Sequence, residues 1–119
     1  MRRQDIPEIT PAELASRLQQ EKPLVLLDVR EPVEVAQVKL EDARVQYLPL
    51  SKLAYEGPAA LPEAVQDRET EVVVLCHHGL RSLDVTAWLL KQGWQQVSSL
   101  RGGIDAYALQ IAPEIGRYY

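Results

Sequence analysis

The chain has 119 residues, with a single cysteine and only two histidines. One cysteine forms no internal disulfide, and a reactive thiol is best kept in a reducing compartment. With no second cysteine and no third histidine, the usual ligand sets for a metal centre are incomplete, so none is expected. No apolar stretch reaches the length of a membrane span, and Met1 to Pro7 lacks one of signal-peptide length. A cytoplasmic protein with no membrane partner is the expectation. Cationic surplus is also missing: 13 Lys and Arg stand against 17 Asp and Glu, a net charge of −4, which argues against nucleic acid as the partner. No repeat or low-complexity tract is evident, and proline and glycine fall between short elements rather than marking a linker. Hydrophobic content of 46% and charged content of 25% are those of a globular protein. Residues 1–119 therefore read as one domain.

What the chain does have is Val72-Val73-Val74-Leu75 leading directly into Cys76. Four consecutive apolar residues, three of them β-branched, fit a strand buried on both faces, with Cys76 emerging at its C-terminal end. Open α/β sheets bind ligands at that edge. His77, His78, Gly79, Leu80, Arg81 and Ser82 follow. A free thiol, with a pKa near 8.5, is mostly protonated at neutral pH unless positive potential favours the thiolate. If a helix begins near Ser82, its first amides have no intrahelical acceptor and point back into the loop. Gly79 permits the positive φ that curls successive N–H groups into an anion-binding nest. Arg81 adds a permanent charge and a planar fork of donors suited to oxyanions.

Plainer readings stand beside these. A lone cysteine is often a small buried hydrophobe, and Arg81 at the surface would contribute little by pairing with a carboxylate. His77 and His78, adjacent in sequence with diverging side chains, read as substrate-facing or solvated.

Along the rest of the chain, Ile6 to Ile9 suggests a short edge strand. Thr10-Pro11-Ala12-Glu13 has the pattern of a capping box with proline at the first helical position, opening a helix to about Gln20. Leu24 to Val29, Val45 to Leu48 and Val97 to Leu100 read as strands, and Pro62 to Asp67 as a short helix. A helix over Ser82 to Gln92 stops at Gly93, and a last one runs from Ile104 to Gln110. Strands alternating with helices predict a parallel sheet covered on both faces. Asp28 then lies at its strand's end near the Cys76 loop, either accepting from an arginine or loop amide or only bracing a turn. Arg30 and Glu31 read as local ion-pair partners, and Arg101 as a second cation near the loop. Trp88 reads as a core residue, and Trp94, after a helix-ending glycine, as a cover over the core's edge, with an exposed docking role the lesser alternative. The ending Arg117-Tyr118-Tyr119 is open between packing back on the domain and binding a partner.

The loop C-H-H-G-L-R-S over Cys76 to Ser82 resembles the active-site loop of the rhodanese (thiosulfate sulfurtransferase) family, single-domain type. Leu26 to Glu34 is similar to the family's first-strand motif L-D-V-R-E-x-x-E, and Leu100 to Tyr107 to its closing motif L-x-G-G-x-x-x-W. The three blocks share the family's order and spacing. Two departures accompany them: Val38 to Ala43 replaces the usual G-H-I-x-G-A, and Tyr107 stands where the family has tryptophan.

The resemblance implies a three-layer α/β/α fold around a central, mostly parallel sheet of about five strands. It implies sulfur transfer through a persulfide on Cys76, the nucleophile, with His77, His78, Gly79, Leu80, Arg81 and Ser82 around the substrate and no cofactor. The partners would be a small anionic sulfur donor such as thiosulfate and a cyanide or thiol acceptor, a thioredoxin-like protein among the candidates. A non-catalytic sulfur-carrier or protein-interaction module is the alternative. A cysteine-dependent phosphatase or arsenate reductase fits less well. Those phosphatases place five residues between Cys and Arg around a phosphoryl group, whereas four intervene here, and no aspartate is evident as general acid.

Overall fold

The apolar run after Glu71 forms the centre of the molecule. In a computed structural model describing residues 2–119, it is a fully buried strand at the middle of a five-stranded sheet; Met1 lies outside the described residues. The strands are β1 (Glu8–Ile9), β2 (Val25–Asp28), β3 (Val45–Tyr47), β4 (Val72–Leu75) and β5 (Val97–Leu100), in the order β1-β5-β4-β2-β3. All four pairings are parallel. The helices are α1 (Pro11–Leu18), α2 (Pro32–Val35), α3 (Leu50–Glu56), α4 (Arg81–Lys91) and α5 (Gly103–Gln110).

Strand alternation divides the core into two layers. Val25, Leu27, Val72, Val74 and Cys76 face Leu53 of α3 and Val85 and Leu89 of α4. Leu26, Val73, Leu75 and Leu100 face Leu14 of α1 and Ile104 and Tyr107 of α5. Helices thus cover both sides of the sheet, as a parallel sheet requires. Because the strands are parallel, the chain leaves β2, β4 and β5 on one edge, and Asp28, Cys76 and the Gly102-Gly103 turn gather there.

Several boundaries differ from the sequence reading. The capping box is present at Thr10 and Glu13, with mutual backbone bonds of 3.1 and 2.9 Å. Ile6 to Ile9 narrows to Glu8–Ile9 because only those residues pair with β5. Pro62 to Asp67 is a single 3-10 turn, Glu63–Val65. Helices α2 and α3 were not anticipated; each is short, and α3 has only Leu53 fully in the core. Val38 to Ala43 forms no helix or strand, yet Val38 and Leu40 are buried against the α1/α5 face. Tyr107 occupies the same layer in place of the family's tryptophan. Trp94 is a core residue whose indole N–H donates to the Val65 carbonyl at 2.9 Å.

Candidate active site

Cys76 follows the last residue of β4, and its sulfur lies inside the turn that leads into α4. The Gly79 amide donates to Sγ at 3.1 Å and the Ser82 amide at 3.4 Å. Sγ also lies 3.3 Å from Ser82 Oγ, which is 2.7 Å from Ser99 Oγ. The amides of His78, Leu80 and Arg81 meet no acceptor among the described residues. The thiol is 1% exposed, so burial alone fits the plain hydrophobe. A buried hydrophobe, however, has no need of two converging N–H donors and a hydroxyl. Donors aimed at one sulfur favour its anion. The Ser82–Ser99 pair suits both states: Ser82 accepts from a thiol, or donates to a thiolate while accepting from Ser99. Ser99 was missed in the sequence. Its signal is a serine at a buried position of a parallel strand, where polar side chains are kept only when partnered.

The loop is held from below by the turn after β5. The Ile104 amide donates to the Cys76 carbonyl at 2.8 Å, and the Asp105 amide to the His77 carbonyl at 3.1 Å. Gly103, at φ +66°, lies so close that a Cβ there would stand 2.3 Å from the His77 oxygen. Gly79, at φ +94°, is confined too, though less severely: its Cβ would meet the Gly102 amide nitrogen at 3.0 Å. The closing Gly-Gly is thus a seat for the cysteine loop, a role that only the folded chain displays.

Arg81 opens α4, one residue earlier than expected. Its two terminal nitrogens, expected to face an oxyanion, donate to both oxygens of Glu34 at 2.7 and 2.8 Å. The arginine beside Glu34 holds that carboxyl down to about 2, against the opposing effect of its burial. Glu34 in turn binds Arg81 as a proton-retaining cation. The carboxylate accepts two further bonds, from the Glu31 amide at 3.1 Å and the Tyr118 hydroxyl at 3.0 Å. Tyr118 also accepts from Arg30 at 3.2 Å.

Arg30 does not pair with Glu31. It is fully buried and forked onto Asp28, with the closest contact at 2.7 Å, because Asp28 is the anion that the strand end brings inside. Glu31 instead accepts from Ser51 Oγ at 2.6 Å. Asp28 is therefore the arginine's partner rather than an acceptor for loop amides. Arg101 turns to Glu8 at 3.3 Å, away from the expected role beside the loop.

The histidine side chains do not diverge. Their ring centroids are 3.8 Å apart, and the His77 ring stacks on Tyr118 at 3.9 Å. His77 Nε2 is 2.8 Å from the Tyr118 carbonyl; a carbonyl only accepts, so Nε2 carries the proton. His78 is more exposed, with Nδ1 3.9 Å from Asp105. Leu80 is 57% exposed at the loop's crest. Of the residues singled out from sequence, Cys76, Gly79 and Ser82 meet at one atom. His77, His78, Leu80 and Arg81 ring it without touching the sulfur.

The protein is thus α/β, with two amides turned onto a cysteine sulfur at the carboxyl edge of a parallel sheet. A family model described as a rhodanese-like domain matches residues 10–110. The chain is 36% identical over 113 residues to a sulfurtransferase of Allochromatium vinosum, covering 92% of this chain and 98% of that one. It is 40% identical over 111 residues to a probable adenylyltransferase/sulfurtransferase of Mycobacterium tuberculosis, of whose length it spans 26%. Among solved structures, a human single-domain sulfurtransferase superposes with a TM-score of 0.71 at 25% identity, covering 87% of this chain and 96% of that one. The chain belongs to the rhodanese-like domain family, and its likeness to these sulfurtransferases supports sulfur transfer as its general activity. Among the described residues no helix is long and apolar enough to cross a membrane.

Proposed function

We propose that the protein moves a sulfane sulfur from a donor such as thiosulfate to a cyanide or thiol acceptor through a persulfide on Cys76. The Cys76 thiolate attacks the outer sulfur of thiosulfate; a new S–S bond forms while the old one breaks, and sulfite leaves with the bonding electron pair. The acceptor then attacks the terminal sulfur of the persulfide. With cyanide, thiocyanate departs and the Cys76 thiolate is regenerated, with no outside oxidant or reductant required.

One observation carries this reading: two main-chain amides converge on Cys76 Sγ, and three more in the same loop have no acceptor among the described residues. Fixed dipoles of this kind serve the attacking thiolate, the persulfide and the leaving anion without reorganising. His77 to Ser82 form the substrate cradle. Arg81, braced by Glu34, supplies its lasting positive charge. A reducing, cytoplasmic setting suits the unpaired thiol.

The test is intact mass after incubation with thiosulfate. One added sulfur atom is expected in the wild type and none in Cys76→Ser. Sulfur retained by Cys76→Ser, or hydrolysis of an aryl phosphate in place of sulfur uptake, defeats the reading.

A further inference from the structure

The tail packs on the α1/α5 core layer and also reaches the Cys76 site. Tyr118 is a buried residue followed by the fully exposed Tyr119, and four of its contacts reach site residues or their supports. Its ring stacks on His77 with the planes 11° apart, and its carbonyl takes the His77 Nε2 proton at 2.8 Å. Its hydroxyl donates to Glu34 at 3.0 Å and accepts from Arg30 at 3.2 Å. The hydroxyl's single proton is therefore committed to Glu34. Glu34, with donors from Arg81, Glu31 and Tyr118, has an acceptor bond in each of four directions. A carboxylate filled in this way has one orientation, and the guanidinium forked onto it has one as well.

The series Asp28, Arg30, Tyr118, Glu34, Arg81 runs from a buried ion pair to the cation of the cysteine loop. Every link except the last lies outside the loop. Tyr118 is the only neutral member, and 84 residues separate it from Glu34 in the chain.

We propose that Tyr118 is a positioning residue of the Cys76 site, fixing Arg81 through Glu34 so that the loop's positive charge stands where an anionic sulfur donor arrives. This rests on the proposed sulfur-transfer reading. It goes beyond it in assigning a role to the tail, outside both the cysteine loop and the matched segment, which ends at residue 110.

Tyr118→Phe keeps the ring stack and the carbonyl and removes only the hydroxyl; Tyr119→Phe, at an exposed position, is the control. Because donor and acceptor react in separate steps, kcat/KM for each reports its own half-reaction. Tyr118→Phe is expected to lower kcat/KM for thiosulfate by about three- to tenfold, a fraction of one charge-assisted bond because the hydroxyl acts on the donor only through Glu34 and Arg81. It should lower kcat/KM for cyanide less, within about twofold, since cyanide carries one negative charge against two for thiosulfate and has no oxyanion for a guanidinium to hold. Equal losses in both half-reactions would mean a merely structural tyrosine and overturn the proposal, as would an unchanged or increased value for thiosulfate.

A second measurement does not depend on turnover. The rate at which Cys76 is alkylated by anionic iodoacetate, divided by the rate with neutral iodoacetamide, reads the local potential. That ratio should fall in Tyr118→Phe and hold in Tyr119→Phe; a ratio unmoved by Tyr118→Phe refutes the positioning role. If the wild type takes up no sulfur, the sulfur-transfer reading fails, and the alkylation ratio still decides the place of Tyr118.

Discussion

Replacing Gly103 by alanine perturbs the cysteine loop from a residue that never touches the sulfur. Its φ of +66° is strained for any L side chain, and an added Cβ would stand 2.3 Å from the His77 oxygen and 2.6 Å from the Cys76 oxygen. Both are backbone atoms, so no side chain can swing aside. Left-handed strain costs about 1–2 kcal/mol. Moving the turn away weakens the Ile104 and Asp105 bonds to the loop carbonyls, each contributing about 0.5–1.5 kcal/mol. The sum is about 2–5 kcal/mol, or a fall of about 8–20 °C in Tm for a chain of this size.

Gly57→Ala separates strain from collision. Gly57 also has positive φ, +67°, but a Cβ there meets nothing within 4 Å. It should lose only the strain of its own backbone conformation, φ +67° with ψ −147°, about 1–3 kcal/mol, and keep the wild-type rate of sulfur uptake. Gly103→Ala should be the less stable of the two and should load sulfur about a hundredfold more slowly, because displacements near 1 Å at a reacting centre have that effect. Denaturant melts and the time course of persulfide formation by intact mass measure both quantities. Equal stability of the two variants, with uptake by Gly103→Ala as fast as wild type, would refute the view that the Gly-Gly turn seats the loop.

Two further perturbations test the charged supports. Glu34 has its carboxyl lowered to about 2 from an ordinary 4.5, so its ionised form contributes stability that is complete above about pH 4.5 and is lost as pH falls toward 2. At full strength the shift corresponds to about 3 kcal/mol, and partial exposure of the pair reduces this to about 1–2 kcal/mol. The stability gap between wild type and Glu34→Gln should therefore narrow between pH 5 and pH 2.5, and a constant gap in urea melts would contradict the pairing. Arg30→Met leaves Asp28 buried without its cation and should cost about 3–5 kcal/mol. Combined with Asp28→Leu, the loss should be smaller than the two single losses added together; strict additivity in the double-mutant cycle would show that the buried pair is not coupled.

Local pattern along the chain was enough to place the strand Val72 to Leu75, Cys76 at its end, the glycine that lets the loop curl, and the alternation that demands a parallel sheet. These follow from short-range causes: an unbroken apolar run has few other places to go, a capping box closes over four residues, and a helix begins where its first amides find no partner. What holds the site is set by long-range packing. Ser99 beneath the sulfur, Gly103 under the loop, and Glu34 and Tyr118 around Arg81 come from a strand, a turn, the short helix α2 and a tail far apart in the chain, brought to one edge of the sheet by its parallel strands. A glutamate inside a one-turn helix or a tyrosine near the end of the chain has no local pattern that names its partner. Arg30 illustrates the reason: sequence proximity suggested Glu31, but a buried guanidinium takes the anion enclosed with it, and enclosure is a property of the packed molecule alone.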